Sequence, residues 1–295
     1  MIEVPALPPW LERQLPFRRS MLSVRGRVMH VMEQGEGRPV LMLHGNPTWG
    51  FLWRKVAMQL LHQKFRLVMP DLIGLGLSEK PPASTHTLEF HALQLRALVE
   101  QLELRDFILA IQDWGGPIGG CLAAELPDRV KGLVVLNTVL GPPREGFKPT
   151  PFHRFSQLPL VSTLAFRAFG FPQIYLGAAQ GDRRSISGEV SRAYRWVLRD
   201  RRTNCAPLAL ARMVPDSQSH PSIPRLRQCE DWVKSFRGPR ALVWGQRDPV
   251  LGRSLKRVRA LMGEIEPTVT QAGHFLQEEV PVEIAAAIAK VGAEL

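Results

Sequence analysis

Two short extended segments, residues 21–24 and 28–32, flank Arg25-Gly26-Arg27 and predict an antiparallel hairpin at a sheet edge. Beyond them the pattern changes to near-continuous apolar runs at residues 40–43, 65–69, 107–111, 130–136 and 241–244, which suit strands buried on both faces. Helical patterns lie between the first few. Leu88, Ala92, Leu95, Leu98 and Leu102 recur at three- and four-residue steps, as one face of a helix should. Parallel strands need such crossovers, so the alternation predicts an α/β fold with a mostly parallel central sheet flanked by helices.

The alternation breaks after Leu136. Residues 141–227 are too many for a connection of the usual length of about 4 to 6 residues, and they contain helical stretches at 190–198 and 207–214. They predict a helical cap inserted into the core, bounded by Gly141-Pro142-Pro143 and by His220-Pro221-Ser222-Ile223-Pro224. Residues 1–140 and 228–295 then form the core domain. It resumes at Arg240, continues through a helix at 253–262 and a short strand near Val269, and ends with a helix carrying Val280, Ile284, Ile288 and Val291.

In open α/β sheets ligands gather at the carboxyl ends of the strands, so the polar residues there are the candidates for chemistry. The stretch Gln112-Asp113-Trp114-Gly115-Gly116 stands out. It follows a buried-strand run and precedes a helical segment with Pro117 in its first turn, a layout that thrusts the side chain at the tip of the turn into the open. This is a nucleophile elbow with Asp in place of Ser, and with Ile111 where the first glycine is usual. The other strand ends supply His44-Gly45-Asn46, Asp71 with the glycines after it, Asn137, Gln246-Arg247-Asp248 and Gly273-His274-Phe275. Asp113, Asp248 and His274 occur in the nucleophile, acid, histidine order of α/β-hydrolases. Each has a plainer reading: the two aspartates as helix caps, the histidine as a surface residue. Asp71 reads as a turn residue.

Composition narrows the classes. With 45% apolar and 22% charged residues the 295-residue chain can bury a full core. It shows no apolar run of signal-peptide or membrane-span length, and a cytoplasmic protein is the expectation. Cys121, Cys205 and Cys229 are odd in number, lack metal-ligand spacing and predict free thiols. The excess behind the formal charge of +11 is mostly Arg scattered over the whole length, with one dense run at Arg183, Arg184, Arg192, Arg195, Arg199, Arg201 and Arg202. Without interleaved exposed aromatics or a known module, this run reads as a solvated basic surface rather than a nucleic-acid site.

Taken together, His44-Gly45-Asn46-Pro47-Thr48-Trp49, Gln112-Asp113-Trp114-Gly115-Gly116, Trp244-Gly245-Gln246-Arg247-Asp248 and Gly273-His274-Phe275-Leu276-Gln277-Glu278 resemble the haloalkane dehalogenases of the α/β-hydrolase fold. The likeness spans nearly the whole chain. It implies Asp113 as nucleophile, His274 as base, Asp248 as the acid orienting it, and Asn46 with Trp114 as the halide-binding pair. Asn137 stands where one branch of the family has its acid, and residues 141–193 contain no tryptophan to serve as another branch's halide ligand. The combination resembles the third branch, whose members tend to self-associate, which implies a homo-oligomer.

The resemblance implies a halogenated hydrocarbon, water and halide as the molecules handled, with no metal or organic cofactor. A carboxylate with an ordinary pKa near 3.9 is ionised at neutral pH and can displace halide from saturated carbon. Neutral indole and amide N–H groups suit the departing anion, and backbone N–H groups of Trp114 and Asn46 suit an oxyanion. Phe152, Phe155, Leu164, Phe166, Phe169 and Leu208 would either shape the cavity or form cap core. Among the alternatives, an epoxide hydrolase shares the aspartate nucleophile and takes its acid from cap tyrosines. Tyr175 and Tyr194, the two tyrosines here, both lie in the cap. A coelenterazine luciferase places its acid before the cap, a serine esterase needs Ser at the elbow, and a non-catalytic binder of the same fold is the alternative from another class.

Overall fold

The computed structural model describes residues 2–147, 150–201 and 203–295. Arg202 of the basic run thus lies outside the described residues. The described residues form one eight-stranded sheet in the order β1-β2-β4-β3-β5-β6-β7-β8. Strands β1 (Arg18–Val24) and β2 (Arg27–Gln34) pair antiparallel at one edge, as the hairpin pattern predicts. Strand β2 pairs antiparallel with β4 (Phe65–Pro70), and every later pair is parallel: β3 (Arg38–Leu43), β5 (Phe107–Ile111), β6 (Val130–Leu136), β7 (Arg240–Gly245) and β8 (Thr268–Thr270). The five residues of β5 and the Leu41–Leu43 end of β3 are wholly buried, which is why they read as unbroken apolar runs.

In chain order the α-helices are α1 (Pro9–Glu12), α2 (Arg54–Gln59), α3 (Leu88–Gln101), α4 (Gly115–Glu125), α5 (Pro151–Ser156), α6 (Val161–Ala168), α7 (Gly188–Trp196), α8 (Ala206–Arg212), α9 (Ile223–Ser235), α10 (Leu255–Leu261) and α11 (Pro281–Ala293). Helices α3 and α4 pack on each other, with α9 against α4; α11 crosses behind β5, β6 and β7. The predicted stripe Leu88, Ala92, Leu95 and Leu98 is the buried face of α3, whose start is capped by Thr87 accepting from the Phe90 N–H. Helices α5 to α8 lie between β6 and α9, and α9 itself runs unbroken across residue 227. A small apolar cluster of Phe166, Leu208 and Ala211, with Phe152, Phe155 and Phe171 packed against it, gives these helices a core of their own.

The loop after β4 is organised by a buried carboxylate. Asp71 Oδ1 accepts from the Gly50 N–H at 2.7 Å, while Oδ2 accepts from the Leu77 N–H at 2.7 Å and pairs with His30 Nδ1 at 2.9 Å. Burial opposes its ionisation, but His30, His44 and the Leu77 N–H together hold the Asp71 pKa below the ordinary carboxylate value. What the sequence suggests is a turn residue is therefore a hub tying three segments to the strand ends. Replacing Asp71 with Ala leaves two backbone N–H groups and a buried imidazole without partners, and is expected to cost about 3 to 5 kcal/mol. Urea unfolding of the variant, read against the parent protein, measures it.

Candidate active site

Strand β5 ends at the tip of a sharp turn. Asp113 takes a positive φ of 48°, a conformation that costs a non-glycine residue about 1 to 3 kcal/mol. Neighbouring strands hold it there: the Asp113 N–H donates to the Asn137 carbonyl at 3.0 Å, and the Thr138 hydroxyl donates to the Asp113 carbonyl at 2.6 Å. The strand-to-helix packing explains the neighbouring small residues. A Cβ on Gly115 would meet the Leu43 carbonyl, and one on Gly116 the Thr138 hydroxyl. Ile111, the departure from the usual elbow, is accommodated because Gly119 faces it; a Cβ there would stand 2.9 Å from Ile111 Cγ2.

The three residues proposed from their order do come together. His274 Nδ1 and Asp248 Oδ2 are 2.9 Å apart, and His274 Nε2 and Asp113 Oδ2 are 3.4 Å apart. The Asp248 carboxylate accepts three further hydrogen bonds: Oδ1 from the N–H groups of Val250 (2.7 Å) and Leu251 (3.0 Å), and Oδ2 from Asn137 Nδ2 (2.7 Å). Asn46 meets the same centre from the end of β3. Its backbone N–H donates to Asp113 Oδ1 at 2.7 Å, an approach possible only because Gly45 carries no side chain; a Cβ there would run into the carboxylate. The Asn46 side-chain Nδ2 donates to the Pro207 carbonyl of α8 at 2.9 Å. Trp114 follows the elbow directly and is 9% exposed. Its backbone N–H makes no hydrogen bond to the Asp113 carboxylate among the described residues, so of the two expected oxyanion donors Asn46 alone is already engaged.

The α/β hydrolase fold family matches residues 38–281. A haloalkane dehalogenase of Mycolicibacterium paratuberculosis is 33% identical, covering 92% of this chain and 91% of its own, and one of Mycobacterium marinum is 32% identical over 87% and 86%. Among solved structures, haloalkane dehalogenase DbeA from Bradyrhizobium elkani superposes with a TM-score of 0.83 at 27% identity, covering 94% of this chain and 99% of that one. The tetrameric haloalkane dehalogenase DpaA from Paraglaciecola agarilytica does so at 0.82 and 25%, covering 94% and 93%. The chain belongs to the haloalkane dehalogenase family.

Several residues that support the candidate site have no signal of that role in the sequence. In the sequence Asn137 is a strand end and the position of another branch's acid, with no supporting role of its own. Besides Asp248 it bonds Gly245 both ways, Nδ2 donating to the carbonyl at 3.0 Å and Oδ1 accepting from the N–H at 2.8 Å, so it locks β6 to β7 under the acid. The backbone around His274 is clamped from three directions. Its N–H donates to the Ala179 carbonyl at 2.8 Å, its carbonyl accepts from Gln112 Nε2 at 3.0 Å, and Gln180 bonds both the N–H and the carbonyl of Phe275. Nothing in the local pattern of Gln180 announces this; its partner lies 95 positions away. On α5, burial holds the His153 pKa below the ordinary imidazole value, outweighing the opposing charge of Asp113.

Two of the aromatic and aliphatic residues considered for a cavity or a cap core are not core. Leu164 on the outer side of α6 and Phe169 just past its end are exposed, at 57% and 66%; Phe152, Phe155, Phe166 and Leu208 form the apolar cluster between α5, α6 and α8. The tyrosines also separate. Tyr194 is fully buried and its hydroxyl donates to Glu278 Oε1 at 2.6 Å, whereas Tyr175 is 59% exposed. Free thiols are as expected for all three cysteines.

Burial opposes protonation of His274, but Asp248, and Asp113 on the other side, outweigh it and push its pKa from 6.5 up to about 10. The folded-state value is raised, so the stabilisation is complete below pH 6.5 and disappears as pH rises through about 10. The thermal midpoint is therefore expected to fall across that window, and to fall less in His274→Gln. Calorimetry of both proteins over the same buffers checks this; identical pH slopes would remove the imidazolium from between the carboxylates.

Proposed function

We propose that this protein is a haloalkane dehalogenase that converts a haloalkane to an alcohol and a halide ion through an alkyl ester on Asp113. One observation carries the reading: a carboxylate at the elbow tip has one oxygen held by a backbone N–H, while the other faces an imidazole that a second carboxylate orients. Asp113 Oδ2 attacks the carbon bearing the halogen, in line with the departing bond. The carbon–halogen electrons leave with the halide, which Trp114 and Asn46 receive. Asn46 has a second amide hydrogen besides the one given to Pro207, and the Trp114 indole N–H is the other neutral donor.

In the second half, water adds to the ester carbonyl carbon and His274 takes its proton. The Asn46 N–H stays on Oδ1 as that oxygen gains negative charge, and collapse expels the alkoxide, which is protonated to the alcohol as Asp113 is regenerated. Alkylation of Asp113 removes one of the two carboxylates that raise His274, so the ring becomes able to shed its proton at the step that needs a base. Helices α5 to α8 serve as the cap that excludes bulk water, with α8 tied to Asn46 and residues 179 and 180 tied to the His274 loop. Asp248 at the end of β7, beside Asn137 at the end of β6, supports the third branch of the family.

The epoxide hydrolase alternative needs a tyrosine hydroxyl to protonate an opening alkoxide. Tyr194 already donates to buried Glu278, which with burial raises its pKa well above the ordinary value, and Tyr175 is turned to solvent. Both observations weigh against it.

Purified protein is expected to release bromide from a short bromoalkane and to leave styrene oxide unopened. Asp113→Asn should abolish release, and Trp114→Phe should lower kcat/KM by about 100- to 1,000-fold through loss of one preorganised donor. Bromide release that survives Asp113→Asn would sink the nucleophile assignment. His274→Phe blocks only the second half, so the intact protein should gain the mass of one alkyl group on incubation with substrate. A mass spectrum without that adduct would overturn the two-step course.

A further inference from the structure

The outer face of α6 is the part of the cap that this chemistry leaves unused. Phe166 and Ser162 point inward and are buried, yet the opposite face carries Val161 and Leu164, both 57% exposed. The open apolar surface continues into the flanking turns through Leu158, Leu160 (83% exposed), Phe169 and Tyr175. Single exposed apolar side chains are ordinary, but a cluster drawn from one helix and its two flanks is not. A helix apolar on both sides is normally covered on both.

Charge decides what covers it. Residues 147–181 contain no Asp or Glu. Arg154 is exposed on α5 beside α6, Arg167 belongs to α6 itself, and its Nε donates to the Arg201 carbonyl at 3.2 Å, which brings exposed Arg201 to the same edge. The chain as a whole carries +11. A second copy laid on this face would set one strongly basic chain against another. An anionic lipid surface satisfies both features, since it takes apolar side chains at the acyl boundary and guanidinium groups at the phosphates.

We propose that this face of the cap docks on anionic phospholipid membranes, with Leu160, Val161, Leu164 and Phe169 seated at the acyl boundary and Arg154 and Arg201 at the headgroups. The long arginine side chains lie along the apolar surface and keep their charges at the polar layer. Helix α6 packs on α8, whose Pro207 carbonyl holds the Asn46 amide, so a single helix layer separates the docking face from the site. Apolar haloalkanes concentrate in bilayers, and a docked cap would draw on that phase. This consequence for substrate supply rests on the dehalogenase reading; the docking does not.

The test is co-sedimentation of the full chain with large vesicles of phosphatidylcholine alone and of phosphatidylcholine mixed with phosphatidylglycerol. Binding is expected on the anionic vesicles only. The triple variant Leu160→Ser, Leu164→Ser, Phe169→Ser, with unchanged thermal midpoint and unchanged bromide release from a water-soluble substrate, should bind about tenfold or more weakly. The pair Arg154→Glu, Arg201→Glu should not bind. Absence of binding by the parent protein, or equal binding by the triple variant, overturns the proposal. So does light scattering that finds the parent dimeric and the triple variant monomeric, which assigns the face to a second copy. Vesicle binding without bromide release would instead overturn the dehalogenase reading and leave the docking intact.

Discussion

One imidazole held between two carboxylates is the arrangement on which the site depends. His274 lies 2.9 Å from Asp248 and 3.4 Å from Asp113, and the three residues arrive from the ends of three different segments of the sheet side of the molecule. Two anions and a buried ring are unfavourable separately, because each charge loses its hydration. Together they are stable while the ring carries its proton, and the raised pKa of His274 expresses that balance. Chemistry that neutralises either carboxylate changes the proton affinity of the ring.

The scaffold keeps this geometry by joining elements that are distant in sequence at the His274 loop. Glu278, four residues on, is buried against Arg54 of α2, with Nη1 and Nη2 at 2.5 and 3.0 Å, and accepts the Tyr194 hydroxyl from α7. Arg54 also lies over the Phe51 ring, 3.6 Å from its centre. Glu279 accepts from the N–H groups of Gly181 and Gly273, and Gln180 closes the loop from the cap side. A buried carboxylate with several donors is costly to disturb, so this corner fixes where the histidine sits relative to the elbow.

Much of the fold was legible because buried parallel strands must be apolar throughout and their crossovers must show helical periodicity. The runs at 40–43, 65–69, 107–111, 130–136 and 241–244 all became strands, and the polar residues after them all lie at one edge of the sheet. The candidate site residues were legible for the same reason: Asp113, Asp248 and His274 follow strands. Asp71 was underread, since turn chemistry and a buried hub both place an acid after a strand. The exposure of Leu164 was not legible because an apolar residue in a helix ordinarily faces inward, and α6 is apolar on both sides. Ile111 appeared to contradict the elbow until Gly119, eight residues later, was seen to make room for it.

The sequence by itself determined the type of sheet, the position of the elbow, the identity of the groups that carry charge there and the family to which they point. These follow from local periodicity and from residue types in fixed order. Only the tertiary structure decided that Asn46 already offers its N–H to Asp113, that Asn137 sits beneath Asp248, and that Tyr194 faces Glu278 instead of a substrate. It also decided which face of α6 meets solvent. Hydrogen-bond partners and exposed faces are set by residues scores of positions apart, and no pattern within a short stretch of chain carries that information.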